Sequence, residues 1–284
     1  MFNLKKLKGL YQKNENLIEY MRTQSGDKEN TTEQIMISYD FQAGTYTNEY
    51  YRNPEPRLQR AAVFAEIIKE KNLSGRLMEA GVGEASLLVP LLNMLNAEER
   101  KFESVYGFDI SWSRIKAARK FASDQNQSQI QFFTGDLLNI PICDDSFDVV
   151  CTCHAIEPNG GKEKEILQEL YRVCRRYLLL MEPCYEFASE RARVRMKKHG
   201  YVTKLYQSAV ELGYNIEEYG LKVSGPDDIN PSGLMIIRKG SSAVNEEKRK
   251  SPFMCPISKR RMEEYGNAGG GASFTAPKVC WPIL

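Results

Sequence analysis

The 284-residue sequence is poor in several groups that would announce a chemistry. It has two histidines, His154 and His199, so side chains that titrate near neutral pH are scarce. Its seven cysteines include no C-x-x-C pair, which removes the usual zinc-ribbon and dithiol signatures. No apolar run reaches the roughly 18 residues of a membrane-spanning helix. Neither sign of charge prevails: 39 basic against 37 acidic residues leave a formal +2. Strong non-specific attraction to nucleic acid or to an anionic membrane is therefore not expected. The first residues, MFNLKKLKGLYQKNENLIEY, are basic but lack the apolar core of a signal peptide. The expected location is cytoplasmic, and Cys143, Cys151, Cys153 and Cys174 read as reduced, packed thiols. In a strand, Cys151 and Cys153 would share one face and simply pack.

What is present is an ordinary globular composition, 42% hydrophobic and 27% charged. Residues 1–60 read as an N-terminal helical extension, and RLQRAAVFAEIIKEKN at 57–72 has helical apolar spacing. From there strands and helices alternate. GRLMEAG, ESVYGFD, QIQFFTGD, FDVVCTCH and RRYLLLMEP read as strands. EASLLVPLLNMLN, SWSRIKAARKFASD and KEKEILQELYRVC read as helices, with Pro90 bending the first and Ser111 capping the second. That rhythm predicts parallel strands with crossover helices. After Pro183 come charged helices and then two strand candidates that would close the sheet as an antiparallel hairpin. The expected units are the extension (1–60), an α/β domain (61–240), a polar linker (241–251) and a small C-terminal unit (252–284).

The informative stretch is LMEAGVGEAS, residues 77–86. Two glycines between strand and helix let backbone approach a ligand closely, or simply form a structural turn. The dinucleotide fingerprint would place a third glycine at 86, where this chain has Ser86. Glu79 and Glu84 flank the loop, and a carboxylate within ~5 Å of a pyrophosphate opposes it by about 1 kcal/mol even in high dielectric. A cationic, phosphate-free ligand has the opposite preference. Asp109, 30 residues after Glu79, ends the second strand, where an acid can accept from ribose hydroxyls or cap the next helix. Asp136 ends the third, where it can accept from an adenine amino group with Leu137 against the ring, or close a turn.

Taken in order, EAGVGEAS, VYGFDIS, TGDLLNIP and DDSFDVVCTCHAIEP resemble the class I S-adenosylmethionine-dependent methyltransferases over about residues 60–240. Ala85 stands where the family pattern has its third glycine. The resemblance implies a Rossmann-like α/β fold: a seven-stranded sheet, its last strand antiparallel, with helices on both faces. It implies S-adenosylmethionine as cofactor, held by Glu79, Gly81, Gly83, Asp109, Ile110, Asp136 and Leu137. In many such enzymes an N-terminal segment folds over the cofactor; SYDFQAGTYT looks like such a lid, with Tyr39, Gln42 and Tyr46 facing inward and Tyr50 and Tyr51 following, or these residues serve helix packing.

The loop CTCHAIEPNGG should lie nearest the transferred methyl, and His154 and Glu157 are its titratable groups. As an i, i+3 pair they read as base and orienter, or as a backbone-bonded histidine and a helix cap. His199 sits among Arg195, Lys197 and Lys198 and reads as a solvated face. Arg191, Arg193 and Arg195 read either as a charged surface or as a grip for an anionic acceptor. The tail segments FMCPISKRRMEEY and APKVCWPIL are similar to short zinc-ribbon-like proteins, but Ser258 replaces the second cysteine, so a metal-free remnant docking by packing is expected.

Methyltransferases with a similar SYDxQAGxY segment look like members of bacterial surface-polysaccharide or flagellar-glycan pathways. The resemblance thus implies a small-molecule acceptor, a sugar or glycan precursor, with neither nucleic acid nor membrane as partner. An RNA methyltransferase, prompted by the ribbon-like tail and the KRK and KRR runs, is the alternative. A cofactor-binding protein without catalysis is the third reading.

Overall fold

A computed structural model describes residues 2–223, 228–240, 251–266 and 272–275. Its frame is a seven-stranded sheet in the order β3-β2-β1-β4-β5-β7-β6. The strands are β1 (Arg76–Ala80), β2 (Ser104–Asp109), β3 (Gln131–Thr134), β4 (Phe147–Cys153), β5 (Cys174–Pro183), β6 (Asn215–Leu221) and β7 (Ser232–Arg238). The first five pair in parallel, and β7 runs antiparallel between β5 and β6. The closing hairpin therefore forms as expected, with β7 inside and β6 at the edge.

Central strands are buried on both faces, so their apolar residues run nearly unbroken and alternate between two cores. Leu77, Val149, Cys151, Leu179 and Ile236 pack with helices α5 (Glu55–Glu70), α6 (Leu88–Ala97) and α7 (Trp112–Asp124). Met78, Val150, Leu178, Leu180 and Ile237 pack on the other side with α8 (Glu163–Val173) and α10 (Leu205–Glu211). Burial on this scale, about 25 cal/mol per Å² of apolar surface, is the main force closing the sandwich. Cys151 and Cys153 indeed join one packed face, and burial pushes the Cys151 thiol up.

Pro90 does not bend its helix. It lies at the third position of α6, in the first turn, where a missing amide costs no intrahelical bond. Ser111 caps α7 by accepting from the Arg114 amide at 3.1 Å. The N-terminal extension is four helices: α1 (Leu4–Gln12), α2 (Leu17–Ser25), α3 (Thr32–Phe41) and α4 (Thr45–Arg52). Asn3, Asn16 and Thr31 cap the first three, Thr31 within a capping box. A ninth helix, α9 (Glu190–His199), follows β5.

The tail docks on the turn after β3. The Met254 amide donates to Pro141 at 3.0 Å, and the Phe253 ring packs on Phe133 with centroids 5.1 Å apart. Beyond it β8 (Glu263–Gly266) and β9 (Ala272–Thr275) form an antiparallel pair. Among the described residues no cluster of three or more His, Cys, Asp or Glu could hold a metal; Cys280 and most of the 241–251 linker lie outside them. No helix among the described residues is long and apolar enough to cross a membrane.

Candidate active site

The chain reverses direction between β1, which leads outward to β2 and β3, and β4, which leads to the opposite edge. Ligands of open α/β sheets sit at such a switch point, beyond the carboxyl ends of the strands. A cavity lies there. It is lined by Glu79, Gly81, Gly83, Asp109, Ile110, Asp136 and Leu137 from the strand ends, and by Tyr39 and Tyr46 from the extension.

The glycines are required by geometry. Gly81 has φ +69°, and a Cβ there would stand 2.3 Å from Ala155 Cβ. Gly83 has φ +56°, and its Cβ would meet Arg114 Nη2 at 2.6 Å. Ala85 also has a positive φ, +59°, so the chain keeps the conformation of the family's third glycine while carrying a methyl group.

The two acids flanking the loop part company. Glu79 is buried, its Oε2 has no hydrogen-bond partner among the described residues, and burial raises its carboxyl well above the usual range. Glu84 turns away from the cavity. It accepts from the Gly44 amide at 2.9 Å, the Thr47 amide at 2.7 Å and the Thr47 hydroxyl at 2.8 Å. A charged carboxylate thus caps the start of α4, whose own N-cap, Gly44, has no side chain to offer. The expected two-acid fence is one acid and one latch.

Asp109 receives the Gly83 amide at 3.0 Å and the Ser111 amide at 2.9 Å, one on each oxygen, and Asp136 receives the Leu138 amide at 2.9 Å. Each oxygen keeps a second lone pair. Sequence reasoning missed three arginines, Arg57, Arg60 and Arg114, that also line the cavity. Arg114 is buried between two rings of the extension, 4.8 Å from the Tyr39 centroid and 4.5 Å from the Tyr46 centroid. Charge in the cavity is therefore mixed, and electrostatics alone does not separate a sulfonium from a pyrophosphate. Helical spacing on α5 puts Arg57 and Arg60 on one face, and that was the signal available for them.

Gln42 does not reach this cavity. It lines a second, more open chamber with Tyr11, Ser38, Glu157, His199 and Tyr201. Tyr39 and Tyr46 belong to both spaces. His199 is not on a solvated face: it is half-buried, hydrogen-bonded through Nδ1 to Asn16, and its pKa is lowered by burial and then by Arg195. Of the arginines on α9, Arg193 is tied to the Tyr185 carbonyl at 3.1 Å and Arg191 is exposed. Arg195 turns inward over Tyr201 with its Nη1 buried and unpartnered.

The loop after β4 divides the two spaces. His154 and Asn159 face the strand-end cavity, Glu157 and Pro158 the chamber. His154 has φ +54° and both ring nitrogens engaged, Nδ1 with Glu157 Oε2 at 2.8 Å and Nε2 with Ser232 Oγ at 2.6 Å. Asn230 Nδ2 donates to the same Glu157 oxygen at 3.2 Å. Burial opposes the charge on Glu157, but the His154 bond and charge hold its carboxyl below the usual range. Beneath the loop, Glu182 accepts from the Ala155, Ile156 and Glu157 amides at 3.0, 3.1 and 3.2 Å. Burial nevertheless pushes its carboxyl up to about 7.

Residues 77–176 match a family described as a methyltransferase domain. Over those residues, from β1 into β5, the chain carries a methyltransferase domain. Among curated proteins it is 38% identical over 68 residues to ajmaline N-methyltransferase of Rauvolfia serpentina, covering 24% of this chain and 23% of that one. The chain thus spans about a quarter of the length of that curated relative. Among solved structures it resembles magnesium protoporphyrin IX methyltransferase of Synechocystis PCC 6803 with bound SAH, with a TM-score of 0.54 at 18% identity over 72% of this chain and 99% of that one. The cyclase SpnF is as close in shape, with a TM-score of 0.54 at 15% identity over 75% of this chain and 98% of that one. At such identities the shared feature is the fold, and shape by itself does not choose the reaction.

Proposed function

We propose that this protein transfers a methyl group from S-adenosylmethionine to a small hydroxylated acceptor, a sugar or glycan precursor. The observation that carries the reading is the junction of two spaces at Tyr39 and Tyr46, one walled by strand-end carboxylates and the other by tyrosines and amides. The residues present fit the cofactor. Glu79, a buried acid with an unpartnered oxygen, suits the ammonium of its methionine part, and Arg60, with Nε buried and unpartnered, suits the carboxylate. Asp109 suits the ribose hydroxyls, and Asp136 with Leu137 the adenine. Gly81 and Gly83 leave the room that a side chain would fill.

The bound cofactor supplies an activated sulfonium methyl, so the protein's task is alignment and water exclusion. The extension serves as the cover. Glu84 pins α4, Asp40 accepts from the Ser111 hydroxyl, and Arg114 sits between the two tyrosines. His154 and Glu157 stand at the catalytic end, where the acceptor's proton must be taken up. The chamber's polyphenolic and carboxamide lining suits a saccharide, which offers hydroxyls to the polar groups and C–H faces to the rings.

The test is SAH formation from S-adenosylmethionine with and without added neutral and nucleotide-linked hexoses. Sugar-dependent SAH formation is expected. Its absence in a protein that binds SAH contradicts the acceptor, and failure to bind either sulfur compound contradicts the whole reading.

A further inference from the structure

The loop after β4 separates two jobs that one histidine cannot perform from where it stands. We infer that the tyrosine chamber between α1, α3 and the end of α9 is the acceptor subsite for a neutral hydroxylated ring, and that Glu157, positioned by His154, is the group that meets the acceptor hydroxyl. This rests on the methyl-transfer reading above and assigns its acceptor side.

His154 is committed. Glu157 is ionised, so Nδ1 of His154 carries the proton and donates to Glu157 Oε2 at 2.8 Å. Its one basic lone pair, on Nε2, is then turned to the Ser232 hydroxyl at 2.6 Å. With both ring nitrogens so engaged, the imidazole has no lone pair left for an acceptor, protonated or not. Glu157 is the complement. The bonds from His154 and Asn230 both fall on Oε2, and Oε1 makes none among the described residues. The residue itself lines the chamber. A buried carboxylate held on one oxygen presents the other in a fixed direction, which is what an acceptor hydroxyl needs.

Charge selects the class of acceptor. Glu157 already has Arg195 as an opposite charge, and Arg195 stands over Tyr201, 5.4 Å from the ring centroid. Burial, and then Arg195, lower the pKa of His199 and so disfavour its charged form. A cationic amine would add a second positive group to a compensated pair, whereas a neutral hydroxyl adds none. The remaining polar wall, Asn14, the solvent-exposed Glu15, Asn16, Ser38, Gln42 and the tyrosines, offers donors and acceptors at many angles.

The step balances. The acceptor oxygen forms a bond to the methyl carbon as the carbon–sulfur bond breaks, with that electron pair staying on sulfur. The hydroxyl proton passes to Glu157 Oε1. The oxygen becomes strongly acidic as the new bond forms, so a carboxylate of low basicity suffices.

The experiment uses the full chain, methyl-tritiated S-adenosylmethionine and two probe sets. One holds glucose, rhamnose and N-acetylglucosamine with their nucleotide-linked forms; the other holds sarcosine and tryptamine. The variants are Glu157→Gln, Glu157→Asp, His154→Gln and Gln42→Trp, each checked for SAH affinity and thermal melting. Expected are label on a hydroxyl probe, a loss of kcat of about 100-fold or more in Glu157→Gln, and partial recovery in Glu157→Asp. His154→Gln should lower kcat less than Glu157→Gln, because glutamine can still donate to Oε2, and should leave the acceptor KM nearly unchanged. Gln42→Trp, which fills the chamber, should raise the acceptor KM at least tenfold with SAH affinity within about twofold of wild type. Label only on amines, label on neither set, kcat of Glu157→Gln within about threefold of wild type, or equal loss of SAH and acceptor binding in Gln42→Trp each overturns the assignment. Loss of SAH binding in the wild-type protein would instead fell the underlying reading.

Discussion

The strand-end cavity and the tyrosine chamber share Tyr39 and Tyr46, yet they are assembled in opposite ways. The first is built where parallel strands stop, so its carboxylates and glycines sit at fixed offsets along the chain. The second is built from four separate segments, around Tyr11, Ser38, Glu157 and His199, that meet only because the extension folds over the domain. Local spacing therefore describes the first and is silent on the second. A cavity at strand ends is set by sheet register, whereas a chamber between helices depends on packing angles that no motif records.

The sharpest way to break the contrast is Gly81→Val. The new side chain would enter space 2.3 Å from Ala155 at a φ of +69°. SAH affinity should fall more than about 100-fold, close to 3 kcal/mol, while chamber residues are untouched. Titration calorimetry reads it. Asp109→Ala comes next, with a loss of about 1–3 kcal/mol in SAH binding from removing a charged acceptor. Some stability should go too, since the Gly83 and Ser111 amides lose their partner.

A pH experiment probes the loop between the spaces. The folded pKa of Glu182, about 7, lies above an ordinary carboxyl value. Its contribution is fully present below the unfolded value and is lost as pH rises through about 7. The stability of wild type relative to Glu182→Gln should thus decline by about 1–3 kcal/mol between pH 4.5 and 8, as read by denaturant unfolding across that window.

Glu84→Gln should cost about 1 kcal/mol of cap stability and hasten proteolysis of the extension, with a smaller effect on the sheet. An unchanged cleavage rate would show that Glu84 is no latch. The smallest effect is a gain. Ala85→Gly should stabilise the protein by about 0.5–1 kcal/mol by relieving a left-handed alanine at φ +59°, visible as a higher melting temperature.

The fold was legible because burial on both faces writes unbroken apolar strands and because short crossover helices leave few topologies. The edge strand β6 illustrates the limit: two closing strands were evident, but which one inserts beside β5 is a matter of pairing, not of pattern. At the site, Glu79, Asp109 and Asp136 were readable from position alone. Glu84 was misread, because an acid beside a glycine loop looks the same whether it faces a ligand or caps a helix 40 residues upstream. His199 was misread for a similar reason: charged neighbours on α9 concealed a face packed against Asn16. Arg114 carried no signal, since a lone arginine on a helix gives no hint that two tyrosines from the extension will enclose it.

The central claim is that the strand-end cavity holds S-adenosylmethionine. Calorimetric titration of the wild-type protein with S-adenosylmethionine, SAH and NAD tests it most directly. Saturable heat is expected from both sulfur compounds, at one site per chain, and none from NAD. Binding of NAD, or no heat from either sulfur compound, would contradict the account.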